Sequence, residues 1–264
     1  MDRVGRRNHT ELSVHRDGRV WSGERAMAGK ANKAFIESGP AFLRSNVVLS
    51  PKVQAYLVGK GMDEDRLPGV YDFDLRRDTT VDYRDADGKP LKAYQLYLLE
   101  QRKMHQKGTV GPSTHPIRAF YLPWDNGRGW TMALDNRANY LFTPTLDGCS
   151  IVANRSANPR VSHINFQNPA GNRVDPDRID AYIEEIYGAD SKGGLRTLEK
   201  NDYSDDALKE AGTQFTVTVI GFRDRTDDTW DLYYQVQTSC LVDNPDGPGT
   251  LVQHRVRDAL LEIG

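Results

Sequence analysis

Apolar and polar residues that alternate on either side of short clusters of turn formers are the feature that most restricts how this chain can fold. Three pairs of segments share the pattern: 81–86 and 89–94 about Asp87-Gly88, 117–122 and 130–134 about residues 125–129, and 214–222 and 230–241 about residues 224–228. A period of two around such a turn is typical of a β-hairpin. The sequence therefore predicts a fold that is rich in antiparallel strands.

Helical segments are predicted between these hairpins. They are residues 25–37, 51–59, 176–187, 204–211 and 251–263. The clearest is 176–187, where Asp175 stands at the N-cap, Pro176 at the first helical position and Gly188 just after the end. Strands in hairpins with helices between them indicate an α+β fold, with a mixed, largely antiparallel central sheet flanked by helices.

No break in composition divides the chain into two compact halves. Residues 1–30 are rich in charge and poor in large apolar side chains, so we expect a loosely ordered arm there. Residues 31–264 are predicted to form a single α+β domain, with the functional core at about 115–242.

Composition excludes several classes of function. A formal net charge of −2 gives no basic field for nucleic acid or for an anionic membrane. No apolar run reaches the length of about 18 residues that a membrane span needs, and no apolar segment follows the charged N-terminus as in a classical signal peptide. The two cysteines, Cys149 and Cys240, are far apart in sequence and indicate neither a disulfide framework nor a metal site.

One stretch combines strand patterns with reactive side chains. Residues 140–143, 150–153 and 161–166 are strand-like, and residues 156–159 form a turn cluster. We expect 150–166 to form an antiparallel hairpin with Cys149 at its mouth and His163 on its second strand. Because side chains alternate faces, the two share a face only if the loop is odd in length or contains a bulge.

Cys149 and His163 suit nucleophilic catalysis. A free thiol is mostly protonated at neutral pH, so a nucleophilic cysteine needs a partner that accepts its proton. Gly148 lets the backbone come close to a substrate, so the backbone of Gly148 and Cys149 is predicted to hold an oxyanion. The alternative is a buried, inert Cys149, and His115 is a rival base. No His, Cys or carboxylate spacing predicts a metal or a cofactor, including the acidic runs at 63–65 and 72–74.

The segment Leu146-Asp147-Gly148-Cys149, followed by His163 on the next strand, resembles the Leu-x-Gly-Cys motif and downstream histidine of the cytotoxic necrotizing factor and Burkholderia lethal factor class of bacterial toxins. Those toxins are glutamine deamidases that act on host proteins. The resemblance implies a similar catalytic domain, with Cys149 as nucleophile and His163 as base. It also implies an oxygen from an upstream strand that orients the histidine, for which Thr143 is the candidate.

The resemblance thus predicts a cysteine-dependent protein glutamine deamidase that passes through a thioester. Its expected partner is a protein that carries a reactive glutamine, with no nucleic acid and no membrane. Secretion or injection into a host cytoplasm without a classical signal peptide is implied in the same way. Three alternatives stay open: a cysteine peptidase, a transglutaminase on the same Cys-His pair, and a non-enzymatic effector or binding protein in which Cys149 is structural.

Overall fold

Six strands close into a barrel in the computed structural model, which describes residues 20–50, 53–100, 115–166, 175–210, 212–243 and 250–262. The strands of these ranges are β1 (Asn46–Leu49), β2 (Gly69–Arg84), β3 (Pro90–Leu98), β4 (Ile117–Tyr121), β5 (Arg128–Ala133), β6 (Tyr140–Phe142), β7 (Ser150–Asn154), β8 (Arg160–Asn165), β9 (Leu195–Leu198), β10 (Gln214–Arg223), β11 (Trp230–Asp243) and β12 (Thr250–Glu262). The α-helices are α1 (Val20–Ser45), α2 (Val53–Gly59), α3 (Pro176–Tyr187), α4 (Lys200–Tyr203) and α5 (Asp206–Glu210).

The barrel runs in the order β2-β12-β11-β10-β6-β4, and pairing of β4 with β2 closes it. Its pairs are antiparallel except β12 with β2 and β4 with β6, which are parallel. Strands β3 and β1 continue the sheet outward from β2. Closure satisfies the backbone groups that an open sheet would leave at its edges.

A second, four-stranded sheet holds the segments that carry Cys149 and His163. Its order is β5-β8-β7-β9, and every pair is antiparallel. The predicted hairpin at 150–166 is confirmed by β7 and β8. Helix α3 covers one face of this sheet, where Ile183 packs in one cluster with Val152 and Ile164.

Two hydrophobic clusters account for most of the described core. In the first, Phe35 of α1 packs its ring against Phe142 and Phe222 of the barrel strands. In the second, the face of the small sheet opposite α3 packs on other barrel positions, such as Val217 and Trp230. The barrel is therefore joined to the small sheet through a continuous apolar layer.

Several local predictions are confirmed. The turn at Asp87-Gly88 joins β2 and β3, with Gly88 at a φ of 84°. The hairpin about 224–228 is formed by β10 and β11. Helix α3 begins after Asp175, whose side chain accepts from the Arg178 amide, and ends before Gly188 at a φ of 89°.

The hairpin predicted for 117–134 is wrong. Strand β4 pairs with β2 and β6 in the barrel, whereas β5 pairs with β8 in the small sheet. Residues 126–127 do form a turn, with Gly127 at a φ of 71°, but this turn lies in the connection between two sheets. Alternation within each segment carries no information about which sheet it joins.

The C-terminal helix predicted for 251–263 is also wrong. These residues form β12, which pairs with β11 from Asp231↔Glu262 to Asp243↔Thr250. The predicted end of the first helix at residues 38–40 appears as a kink at Ser38, after which α1 continues to Ser45.

The fold class is accordingly mixed α and β, mostly strands, with a closed barrel and few helices in the described ranges rather than one central sheet flanked by helices. Residues 1–19 of the predicted arm lie outside the described residues, and α1 begins at Val20. None of the helices in those ranges is long and apolar enough to cross a membrane.

Candidate active site

Cys149 and His163 lie on the same face of the small sheet. Strand β7 pairs with β8 so that Ile151 lies opposite His163 and Ser150 opposite Ile164. Cys149 comes one residue before β7, so the same register puts it opposite Asn165 and one diagonal away from His163. The loop between the paired residues Ala153 and Val161 has an odd number of residues, which confirms the condition that the sequence set.

His163 is buried in an apolar environment. It is 1% exposed, and its cross-strand neighbours are Ile151 on β7 and Trp130 on β5. Within the described ranges, neither ring nitrogen has a hydrogen-bond partner. Burial lowers the pKa of His163 to about 3, because the imidazolium would lose its hydration, so the ring is neutral at pH 7.

The thiol of Cys149 is buried but not isolated. The indole Nε1–H of Trp124 donates to its Sγ at 2.9 Å, and the backbone amide of Asp147 also donates to the sulfur. Burial nevertheless raises the pKa of Cys149 to about 11, because desolvation outweighs both hydrogen bonds and the Asp147 carboxylate adds to the increase. In this state the pair is a thiol and a neutral imidazole, with no preformed thiolate.

Tyr203 fixes the turn that presents the cysteine. The amide of Gly148 donates to the Tyr203 hydroxyl at 2.9 Å, and that hydroxyl donates to the carbonyl of Cys149 at 3.0 Å. Gly148 has a φ of 89°, a backbone conformation that is unfavourable for residues that have a Cβ atom. Since the Gly148 amide is already engaged, the amide of Cys149 is the remaining candidate donor to an oxyanion.

Thr143 is not brought to His163. It is fully buried after β6, its hydroxyl donates to the carbonyls of Pro144 and Val219, and its own carbonyl accepts from the Ser50 hydroxyl at 2.8 Å. The orienting contact that the resemblance implied is therefore absent from the described residues. The physical reason is that β6 belongs to the barrel and β8 to the other sheet.

The rival base, His115, lies at an exposed position just before β4. No hydrogen bond in the described part of the chain connects it to Cys149. The described residues also contain no group of three His, Cys, Asp or Glu side chains placed to hold a metal ion.

Three residues near the nucleophile were missed from the sequence: Trp124, Asn165 and Tyr203. Trp124 and Tyr203 are 25 and 54 residues from their partner Cys149, and no local pattern connects them to it. Asn165 did carry a signal, because it stands two residues after His163 and so lies on the same face of the strand. It is 2% exposed, and its Nδ2 donates to Asn126 Oδ1 at 3.3 Å.

Comparison with known proteins finds little. No family model matches the chain, and neither does any curated protein. Among solved structures, the C-terminal domain of CNFy from Yersinia pseudotuberculosis is matched over 57% of this chain and 68% of that one, with 10% identity and a TM-score of 0.28. A TM-score this low supports neither a fold assignment nor a function.

Proposed function

We propose that the protein is a cysteine-dependent amidohydrolase that deamidates glutamine side chains of a target protein. The observation that carries the proposal is the register of β7 and β8, which places Cys149 and His163 on one buried face, one diagonal apart. Diagonal neighbours in an antiparallel pair lie within reach of an aromatic side chain, but in this state neither imidazole nitrogen forms a hydrogen bond to the sulfur, so the proposed proton transfer requires the ring to reorient. The Leu146-Asp147-Gly148-Cys149 motif supports the same reading through the resemblance described above.

The protonation states make His163 an unprotonated but weak base, because its pKa of about 3 lies well below the pKa of about 11 of Cys149. A base must be unprotonated to accept a proton, and the lowered pKa of His163 keeps it so at neutral pH. Because the pKa of Cys149 is raised, the proton moves from sulfur to imidazole only as the sulfur attacks. The Asp147 backbone amide then stabilises negative charge on the sulfur, whereas the Trp124 indole does so only until the substrate displaces it.

The reaction follows from these roles. The sulfur of Cys149 bonds to the carboxamide carbon of a glutamine, and the oxygen becomes an oxyanion held by the Cys149 amide. The imidazolium of His163 gives its proton to the nitrogen, and the carbon–nitrogen bond breaks. Ammonia departs, and a thioester between Cys149 and the substrate remains. His163 then takes a proton from water as hydroxide adds to the thioester carbon. The carbon–sulfur bond breaks, the thiolate of Cys149 takes that proton back from His163, and the carboxylic acid that is released ionises to glutamate.

Access to the thiol requires Trp124 to move. Cys149 is 2% exposed, whereas Trp124 is 36% exposed and its indole is hydrogen-bonded to the sulfur of Cys149. A glutamine side chain would displace the indole and take its place against the sulfur. The partner we propose is therefore a protein with a glutamine on a protruding loop, and a host cytoplasm is the proposed place of action from the resemblance alone.

The test is ammonia release from glutamine-containing peptides and from host-cell protein, with the new glutamate located by peptide mass. The Cys149→Ser and His163→Leu variants should lose the activity, and Cys240→Ser, which changes the other cysteine, should keep it. Activity that survives Cys149→Ser would exclude the proposed mechanism. Peptide fragments would indicate a peptidase instead, and incorporation of an added amine would indicate a transglutaminase.

A second candidate is a non-enzymatic binding protein in which Cys149 only packs. The observation that favours it is the burial of both side chains, with the thiol protonated and the imidazole neutral. It predicts that no substrate pool releases ammonia and that Cys149→Ser leaves every binding property unchanged.

A further inference from the structure

We propose that Asn165 recognises the primary carboxamide of the substrate and so makes the site specific for glutamine side chains over main-chain amides and esters. This inference rests on the proposed function and adds to it a residue that determines specificity.

The position of Asn165 is set by two strand registers. On one side β8 pairs with β5, which puts Asn165 opposite Arg128. On the other side, the β7 pairing continued by one residue puts Asn165 opposite Cys149. Residues directly opposite in an antiparallel pair have Cβ atoms about 5 Å apart. The Asn165 side chain thus adjoins the place where a carboxamide carbon would meet the sulfur.

Asn165 is incompletely hydrogen-bonded although it is buried. Its Nδ2 donates to Asn126 Oδ1 at 3.3 Å, but within the described ranges its Oδ1 has no donor. Buried acceptors almost always have a partner, and an exception in a native protein calls for an explanation. A ligand that donates to Oδ1 supplies one.

A primary carboxamide is the ligand that fits this acceptor beside the thiol. Its NH₂ group offers two donors, of which one can reach Asn165 Oδ1 while the carbon faces Cys149. A main-chain amide has a single N–H and carries carbon where the second hydrogen would be, and an ester has no donor. His163 stands two residues from Asn165 on the same face, so a nitrogen held by Oδ1 also adjoins the group that protonates it.

The experiment compares two reagents that differ only in this group, iodoacetamide and methyl iodoacetate, on the full chain carrying Cys240→Ser. The ratio of their alkylation rates at Cys149 reports preference for a carboxamide and requires no turnover. Asn165→Leu, of similar shape but without the acceptor, should lower that ratio about three- to tenfold, the usual effect of one neutral hydrogen bond. Asn154→Ala, at the far end of β7, should leave the ratio unchanged.

Thermal unfolding separates recognition from a structural role. Asn165→Leu loses an acceptor that has no partner among the described residues, together with one 3.3 Å bond to the exposed Asn126, so the melting temperature should change little or rise. A clear fall in melting temperature with an unchanged ratio would overturn the inference, because Asn165 would then act in packing alone. Failure of both reagents to label Cys149 would overturn it as well, since no small carboxamide would have access.

Failure of the proposed role of Asn165 can be distinguished from failure of the proposed deamidase function. If the protein releases no ammonia from any glutamine but the ratio still depends on Asn165, the carboxamide site stands and deamidation is wrong. If glutamine peptides are deamidated equally well by Asn165→Leu and the ratio does not change, deamidation stands and the role of Asn165 is wrong.

Discussion

The indole Nε1–H of Trp124 donates to the sulfur of Cys149 at 2.9 Å. Trp124 lies in the connection from barrel strand β4 to β5, and its backbone amide donates to Gln54 Oε1 of α2 at 3.2 Å. One side chain therefore covers the nucleophile and also donates to it. A residue of the connection between the two sheets thus contacts the thiol and lowers its pKa, in opposition to the larger increase caused by burial.

These two effects of Trp124 can be separated by substitution. Trp124→Ala removes the cover, which should lower the free energy needed to expose Cys149 by ~1.4 kcal/mol. Alkylation of Cys149 should then accelerate about tenfold. Trp124→Phe keeps an aromatic ring but lacks the N–H, so alkylation should slow about threefold. The measurement is intact mass against time with iodoacetamide at pH 8 in the Cys240→Ser background. Equal rates in all three proteins would show that the indole neither covers nor assists the thiol.

The pH dependence of the same alkylation follows from the raised pKa of Cys149. Only the thiolate reacts, and burial puts the pKa at about 11, so the rate should rise about tenfold per pH unit from pH 7 to pH 10 without a plateau. A rate that is already constant below pH 7 would mean that a thiolate–imidazolium pair exists in the resting protein. The Cys149→Ser variant provides the background labelling at each pH.

Tyr203→Phe should disturb the cysteine turn more than an ordinary loss of a tyrosine hydroxyl. Two buried backbone groups, the Gly148 amide and the Cys149 carbonyl, would lose their partner, at a cost of about 1–3 kcal/mol. The matched control is Tyr140→Phe, whose hydroxyl donates to a single carbonyl, that of Ile36, at 3.2 Å. Urea unfolding gives the stabilities.

Ammonia release by the same two variants distinguishes positioning from general stability. We expect kcat to fall in Tyr203→Phe with KM little changed, and neither to change in Tyr140→Phe. If the two variants behave alike in both assays, Tyr203 has no particular role at the turn.

Local patterns predicted the local parts of this fold. Asp87-Gly88 fixes a turn through glycine geometry, and Asp175, Pro176 and Gly188 define helix α3 through groups that lie within a few residues of one another. The same holds for the relation of Cys149 to His163, which depends only on loop length and the period of a strand.

Closure of the barrel could not be read in this way. Strand β12 owes its conformation to pairing with β11 over its whole length and with β2 at His254 and Arg255. Residues 251–263 match a helical period about as well as a strand period, so only these distant partners decide between them. The contact of Trp124 with Cys149 is likewise created by packing of the barrel on the small sheet.

His163 should make stability depend on pH in a defined window. Its pKa in the folded protein is lowered to about 3, against about 6.5 in the unfolded chain, so between these values the unfolded state binds more protons. The stability contribution is therefore complete above about pH 6.5 and is lost as the pH falls towards 3, at up to about 1.4 kcal/mol per pH unit.

His163→Leu removes two buried ring nitrogens that have no partner in the part of the chain that the structure describes. The variant should be more stable than the wild type by ~1–2 kcal/mol at pH 7, and its stability should fall less as the pH is lowered. Urea unfolding of both proteins from pH 4 to pH 8 measures this, and Cys149→Ser, which retains the histidine, should keep the wild-type slope. A variant that is more stable, less dependent on pH and inactive would show that His163 is retained for chemistry at the expense of stability, whereas a less stable variant would mean that the imidazole packs or bonds in a way that favours the fold.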